Sequence, residues 1–172
     1  MLKIFQEWGF SLQGWRNGER GEYLVLLQGA LMIGFVFLPV YRPVGWVIDS
    51  PLFLSLRWGI ATVLGLAASI FIGKGLLDLG RNLTPLPYPK EDGQLVQSGI
   101  YSIVRHPLYT GLIAVALSWS VFHVSLSHLI ATAILFTFFD AKSRREEAWL
   151  TQKYSDYAEY QQQVKKLIPG LY

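Results

Sequence analysis

The chain has 172 residues, which is enough for one domain, and its composition of 52% hydrophobic against 16% charged residues favours a membrane protein over a soluble one. It contains no cysteine, which excludes disulfides, thiolate metal ligands and a cysteine nucleophile. The net charge of +3 comes from scattered lysines and arginines, so we expect no nucleic-acid partner. His123 and His128 have no carboxylate or cysteine nearby in sequence, so we also expect no metal site.

The first segment, residues 1–22, alternates apolar and polar residues without the continuous apolar core of a signal peptide. Two interpretations are equally compatible with it: an amphipathic helix lying on the membrane surface, or a mobile tail. Its apolar positions at helical spacing are Leu2, Ile4, Phe5, Trp8 and Leu12.

Four apolar segments follow, at residues 23–41, 52–73, 108–122 and 126–139. A bilayer core needs about 20 apolar residues per helix. The short link between the last two segments predicts a tight antiparallel hairpin. We therefore predict an all-α polytopic membrane bundle of about four transmembrane helices, with a loop and a C-terminal amphipathic helix capping a site at one end.

The distribution of positive charge predicts the orientation of this bundle. Arg42 and Arg57 lie on one side, and the other thirteen of the fifteen lysines and arginines lie in the N-terminal segment, the long loop and the C-terminal segment. The positive-inside rule then places both termini and the long loop in the cytoplasm, at the inner membrane if the source is bacterial.

The stretch "VRHP" opens the third apolar segment and is the first candidate for chemistry. Pro107 suits the first position of a helix, whose free N–H groups favour an anion. Arg105 adds a planar cationic fork for a carboxylate or phosphate. The alternative is that Arg105 extends to lipid phosphates and His106 merely caps the helix.

The stretch "RREEAWL" follows the fourth apolar segment and is the second candidate. Glu146 and Glu147 belong either to a solvated helix face or to a site. Because the hairpin brings the end of the fourth segment beside the start of the third, both stretches are expected to meet at one point. A cation and an anion facing one pocket suit a zwitterionic ligand.

The segment "LVQSGIYSIVRHPLYTG", followed by "EEAWLTQKYSDYAEYQQQVKKLIP", resembles the membrane methyltransferases of the isoprenylcysteine carboxyl methyltransferase and phospholipid methyltransferase superfamily. The resemblance covers residues 73–169 and implies an S-adenosylmethionine-dependent methyltransferase. Residues 1–172 would form a single domain, with the cofactor-binding part at residues 73–172.

The resemblance also implies roles for individual residues. Those implied to bind the cofactor are Gln94, Leu95, Val96, Tyr101, His106, Pro107, Leu108, Tyr109 and Glu146. Those implied to act in catalysis are Arg105, His106, Glu147 and Lys142. Lys142 stands where the isoprenylcysteine enzymes carry an arginine, so it keeps the charge without the bidentate fork.

The acceptor implied by the resemblance is a lipid or lipidated small molecule in the membrane, of the isoprenylcysteine carboxylate or phospholipid amine type. An amine would need a base, and His106 or Glu147 could serve. The transferred methyl group could go to oxygen, nitrogen or sulfur, and the oligomeric state is open. The alternatives are an NADPH-dependent membrane reductase of the sterol-reductase kind and a non-enzymatic membrane scaffold subunit.

Overall fold

A computed structural model describes residues 12–46 and 50–172 of the chain. Most of the N-terminal segment expected on the membrane surface lies outside the described residues. Within them the regular structure is helical, with one isolated parallel bridge between Val104 and Lys165. The α-helices are α1 (Leu12–Asn17), α2 (Glu22–Phe37), α3 (Pro51–Leu79), α4 (Pro107–His123), α5 (Leu126–Lys153) and α6 (Tyr157–Gln163), and short 3-10 turns cover Gly80–Asn82 and Gly99–Ser102.

Local sequence signals define the ends of the long helices. Ser50 caps α3 by accepting a hydrogen bond from the Phe53 amide at 3.1 Å, and Pro51 occupies the first turn. Ser125 caps α5 in the same way. Between α4 and α5, Val124 adopts a left-handed φ of 49°, which turns the chain back on itself. The predicted hairpin is therefore present.

The bundle is built by neighbouring helices: α3 packs along α4, α4 along α5, and α2 against α5. Close approach of α3 and α4 depends on Gly111, where an added Cβ would lie 2.5 Å from Ile72 Cγ1 and 3.1 Å from the Ala68 carbonyl oxygen. The buried core next to this contact is formed by Ala116, Leu135, Phe138 and Phe139.

Within the described residues, one stretch is both long and apolar enough to cross a membrane, at Pro51–Asn82. Only 17% of its apolar window is buried inside the chain, so most of it faces outward. Helices α2 and α4 are apolar but shorter, at 16 and 17 residues. The four predicted spans coincide with α2, α3, α4 and the first part of α5, and the count of four stays a prediction.

The C-terminal region covers the end of the bundle that carries the long loop, residues 80–106, which we call the loop end. Helix α5 continues past the fourth apolar segment, as predicted, but the chain becomes extended at Tyr154 before α6 begins. The segment after α6 then runs beside the start of α4, with the Arg105 amide donating to the Lys165 carbonyl at 2.8 Å and the His106 amide to that of Lys166 at 3.1 Å.

Candidate active site

A cavity of about 410 Å³ lies at the loop end, enclosed by the long loop and the ends of α3, α4, α5 and α6. All nine residues implied to bind the cofactor line it, and so do Arg105 and Lys142. Glu147 is the one predicted site residue that is not among its walls. The two sequence-distant stretches therefore do meet around a single cavity.

The 3-10 turn that precedes α4 is fixed by a residue that the sequence analysis missed. The Asp78 carboxylate, near the end of α3, accepts a hydrogen bond from the Ile100 amide at 2.8 Å. Gly99 makes it possible, because its φ is 63° and an added Cβ would lie 2.2 Å from Asp78 Oδ2. The next residue, Tyr101, then faces the cavity and donates to the Gly75 carbonyl at 3.3 Å.

His106 lies between the two glutamates. Its Nε2 is 3.0 Å from Glu147 Oε1, and its Nδ1 is 3.7 Å from Glu146 Oε2. Tyr109, one turn later on α4, donates to Glu146 Oε2 at 2.8 Å and stacks on the imidazole with ring centroids 5.4 Å apart. The Glu146 carboxylate is thus held on the cavity wall by the Tyr109 hydroxyl of α4, with the His106 imidazole nearby.

The Arg105 side chain forms hydrogen bonds inside the protein. Its Nε donates to Glu147 Oε1 at 2.8 Å, and its Nη1 donates to the carbonyl oxygens of Gln161 and Val164. Only 9% of the side chain is exposed, so extension to lipid phosphates does not fit this geometry. The guanidinium joins the start of α4 to α5 and to the C-terminal segment, and its predicted catalytic role stays a prediction.

Glu147 accepts hydrogen bonds from three side chains, those of Arg105, His106 and Gln161. Burial raises the pKa of Glu147, but the hydrogen bonds and charges of His106 and Arg105 outweigh burial and lower it to about 2. A carboxylate this acidic accepts a proton poorly at neutral pH. Glu147 thus holds Arg105 and His106 in position, and its predicted catalytic role stays a prediction.

Lys142 is buried in the same cavity, with 2% of its surface exposed. Its Nζ donates to Gln28 Oε1 at 2.5 Å and lies 3.4 Å from the Pro85 carbonyl oxygen. It also lies 5.2 Å from the centroid of the Tyr109 ring. Burial lowers the pKa of Lys142 to about 8 against the opposing charge of Glu146.

Gln28 lines the cavity from α2, and the sequence analysis did not select it. The signal was available, since an amide inside an apolar segment is costly in lipid and marks a functional contact. Its contact with Lys142 could not be predicted, because nothing in the sequence links residue 28 to a residue on α5.

Comparisons with known proteins show which family the chain resembles. The profile of the phospholipid methyltransferase family matches residues 56–157. A methanethiol S-methyltransferase from Pseudomonas sp. (strain GM41(2012)) is 29% identical over 165 residues, which is 88% of this chain and 60% of that protein. A protein-S-isoprenylcysteine O-methyltransferase from Schizosaccharomyces pombe is 36% identical over 81 residues, which is 46% of this chain and 34% of that protein.

The fold is also found among solved structures. It matches the eukaryotic intramembrane Ras methyltransferase, an isoprenylcysteine carboxyl methyltransferase, with a TM-score of 0.61 and 22% identity over 89% of this chain and 54% of that one. The chain thus spans 60% or less of the length of each of these three proteins. Over the described residues the predicted all-α architecture is confirmed, and so is the predicted superfamily: the chain belongs to the phospholipid methyltransferase family.

Proposed function

We propose that the chain is an S-adenosylmethionine-dependent methyltransferase that modifies a lipid-like acceptor within the membrane. The observation that carries this proposal is the cluster of His106, Tyr109 and Glu146 on the wall of the cavity. The resemblance implies that these three residues bind a zwitterionic cofactor. The relatives reported above are named as methyltransferases.

The residues of the cavity fit this cofactor. A volume of about 410 Å³ falls within the range of small-molecule sites. Glu146 offers a carboxylate for an ammonium group, and Tyr101 offers an aromatic side chain for a cationic sulfur. The Gln94–Val96 stretch and the start of α4 are proposed to enclose the nucleoside and methionine parts.

When bound, S-adenosylmethionine supplies an electrophilic methyl group on a cationic sulfur. The chain's own contribution is the alignment of donor and acceptor, with α4 and α5 holding the polar wall of the cavity. The apolar part of the wall, with Ile72, Leu76 and Leu112, suits a hydrophobic acceptor. The relatives' names suggest acceptors as different as methanethiol and protein-bound isoprenylcysteine.

The direct test is calorimetric titration of the detergent-solubilised protein with S-adenosylhomocysteine and, separately, with NADPH. We expect the first to bind and the second not. Glu146→Ala and His106→Ala are expected to weaken binding on the order of 30-fold or more, while Glu159→Ala, an exposed residue on α6, leaves it unchanged. Binding of NADPH alone would favour a reductase, and binding of neither would favour a scaffold.

A second assay addresses the reaction itself. The protein is incubated with S-adenosylmethionine carrying a radiolabelled methyl group and with total membrane lipid, and the labelled product is identified. We expect label in an apolar fraction with the wild-type protein and none with Glu146→Ala. Label retained with that variant would contradict the assigned site.

A further inference from the structure

We infer that Asp140 and Lys166 are positioning residues of the candidate site: their ion pair holds the C-terminal segment against α5, and through that segment it holds His106 at the cavity wall. This inference rests on the proposed function, because His106 belongs to the cluster proposed to bind the cofactor. We call residues 164–172 the C-terminal strap. Neither Asp140 nor Lys166 lines the cavity, so each acts through another residue.

The first step is the ion pair itself. The Lys166 ammonium lies 2.5 Å from Asp140 Oδ1, and the two side chains are 12% and 16% exposed. Two further groups donate to the same carboxylate, the Tyr172 hydroxyl at 2.8 Å and Arg144 Nε at 2.9 Å. Burial raises the pKa of Asp140, but these hydrogen bonds outweigh burial and lower it to about 2. The carboxylate therefore stays charged at neutral pH, and its donors form one network.

The second step is that Lys166 is held by both its side chain and its backbone. Its ammonium binds Asp140 on α5, while its carbonyl oxygen accepts a hydrogen bond from the His106 amide at 3.1 Å. One residue of the C-terminal strap thus connects a long helix of the bundle to the backbone of the residue that carries the imidazole. The contacts of that imidazole with the two glutamates depend on where this backbone lies.

The third step is that the C-terminal strap binds the start of α4 at consecutive carbonyls. The carbonyl of Lys165 accepts from the Arg105 amide at 2.8 Å, and that of Leu167 accepts from the Thr110 hydroxyl at 2.7 Å. Leu167 itself is buried, with 1% of its surface exposed. The strap and the first turn of α4 therefore form one unit, so a displacement of the strap moves His106 with it.

The fourth step is the separation of the ion pair from the cavity. Asp140 precedes Glu146 on α5 by six residues, which is about 9 Å along the helix axis and about 120° around it. Glu146 lines the cavity, whereas Asp140 binds the C-terminal strap. Loss of the ion pair therefore leaves every side chain of the cavity wall in place chemically and changes only where His106 lies relative to Glu146.

The test uses the three histidines of the chain as reporters. In detergent-solubilised protein carrying isotope-labelled histidine, each imidazole gives its own NMR signals, which are assigned by replacing each histidine in turn with glutamine. We expect Lys166→Met to shift the signals of His106 and to leave those of His128, at the opposite end of α5, unchanged. His106 signals at their wild-type positions would overturn the inference, and so would equal shifts of both histidines, which indicate a general loosening.

Cofactor affinity is measured on the same proteins, well below their thermal midpoints, by calorimetric titration with S-adenosylhomocysteine. We expect Lys166→Met and Asp140→Asn to weaken binding on the order of tenfold. Lys166→Arg is expected to bind within about twofold of the wild type, because the charge remains. Lys165→Met is the matched control: it removes an exposed ammonium from the same strap and is expected to bind as the wild type does. Equal affinities of Lys166→Met and Lys165→Met would overturn the inference.

Tyr172→Phe keeps the inference testable if Lys166→Met does not fold. It removes a single hydroxyl from the network around Asp140 and leaves both charges in place. We expect a smaller shift of the His106 signals with those of His128 unchanged. Absence of any shift in this variant would overturn the inference.

The wild-type titration separates failure of this inference from failure of the proposed function. If the wild type does not bind S-adenosylhomocysteine, the proposed function fails and this inference falls with it. If the wild type binds and the Lys166→Met and Asp140→Asn variants bind equally well, only the inference fails.

Discussion

His106 Nε2 and Glu147 Oε1 lie 3.0 Å apart although His106 precedes α4, Glu147 lies on α5, and the hairpin separates them along the chain. The contact exists because α4 and α5 are antiparallel, so that the first turn of one meets the far part of the other. Arg105 binds the same oxygen. The buried Glu147 carboxylate thus holds Arg105 and His106, two residues of the cavity wall, in position.

The first prediction concerns Glu147→Gln. Removing one partner of a buried ion pair costs about 3–5 kcal/mol, because the remaining charge is left uncompensated. We therefore expect a large fall in the thermal midpoint of the detergent-solubilised protein. Glu91→Gln is the control, since Glu91 is an exposed residue whose pair with Arg20 is worth little. Equal midpoints for the two variants would contradict the role given to Glu147.

The same contact predicts a dependence of stability on pH. The pKa of Glu147 falls from the ordinary value of 4.5 to about 2 on folding. A lowered carboxylate pKa contributes stability that is fully present above the unfolded value and is lost as the pH falls through the folded value. Wild-type stability should therefore decline between about pH 4.5 and 2, and Glu147→Gln should show a shallower decline over that range. Parallel curves would contradict this.

The hairpin and the meeting of the two polar stretches were predictable from sequence, because a link as short as residues 123–125 allows little else. The separate roles of Glu146 and Glu147 were not. Neighbouring residues on a helix point about 100° apart, so a pair of adjacent acids rarely faces one cavity. Here Glu146 lines the cavity and Glu147 does not.

Other features of the site cannot be predicted from the sequence. Arg105 donates to two backbone carbonyls of the C-terminal region, and backbone acceptors are present at every residue. The contact between Lys142 and Gln28 joins helices whose packing only the folded bundle defines. In the sequence, Asp78 does not differ from the other charged residues at the loop end. Only its hydrogen bond to the Ile100 amide distinguishes it.

The second prediction concerns Gly99→Ala. The left-handed φ of 63° costs an alanine about 1 kcal/mol, and the new Cβ would also collide with the Asp78 carboxylate. The 3-10 turn that carries Tyr101 must then shift. We expect lower thermal stability and weaker S-adenosylhomocysteine binding, measured by calorimetry.

Gly80→Ala is the control for that variant. Gly80 also has a positive φ, 51°, with nothing within 4 Å of an added Cβ, so an alanine there strains the backbone without the collision. Its cofactor affinity is expected to remain at the wild-type level. If both variants bind the cofactor equally well, the bond between Asp78 and the turn does not position the site.

The third prediction follows from the pKa of Lys142, which burial lowers to about 8. The ammonium is charged below that pH and neutral above it. Because the ordinary pKa of lysine is 10.5, the folded protein loses this proton before the unfolded chain does, so stability should rise relative to a control as the pH rises from about 8 to 10.5. The rise should be absent in Lys142→Arg, since a guanidinium stays charged. Parallel stability profiles for the wild type and Lys142→Arg over this range would contradict the lowered pKa.

The last prediction concerns how the helices cross the membrane. Because the chain lacks cysteine, single cysteines can be labelled without background by a maleimide that does not cross membranes. Four spans with both termini inside require Asp92→Cys and Leu171→Cys to react only from the cytoplasmic side. Val44→Cys and Val124→Cys should react only from the other side, because one long helix separates each from the next tested position. Labelling of Val124→Cys from the cytoplasmic side would show that the α4–α5 hairpin does not cross, and would reduce the count of spans to those formed by α2 and α3.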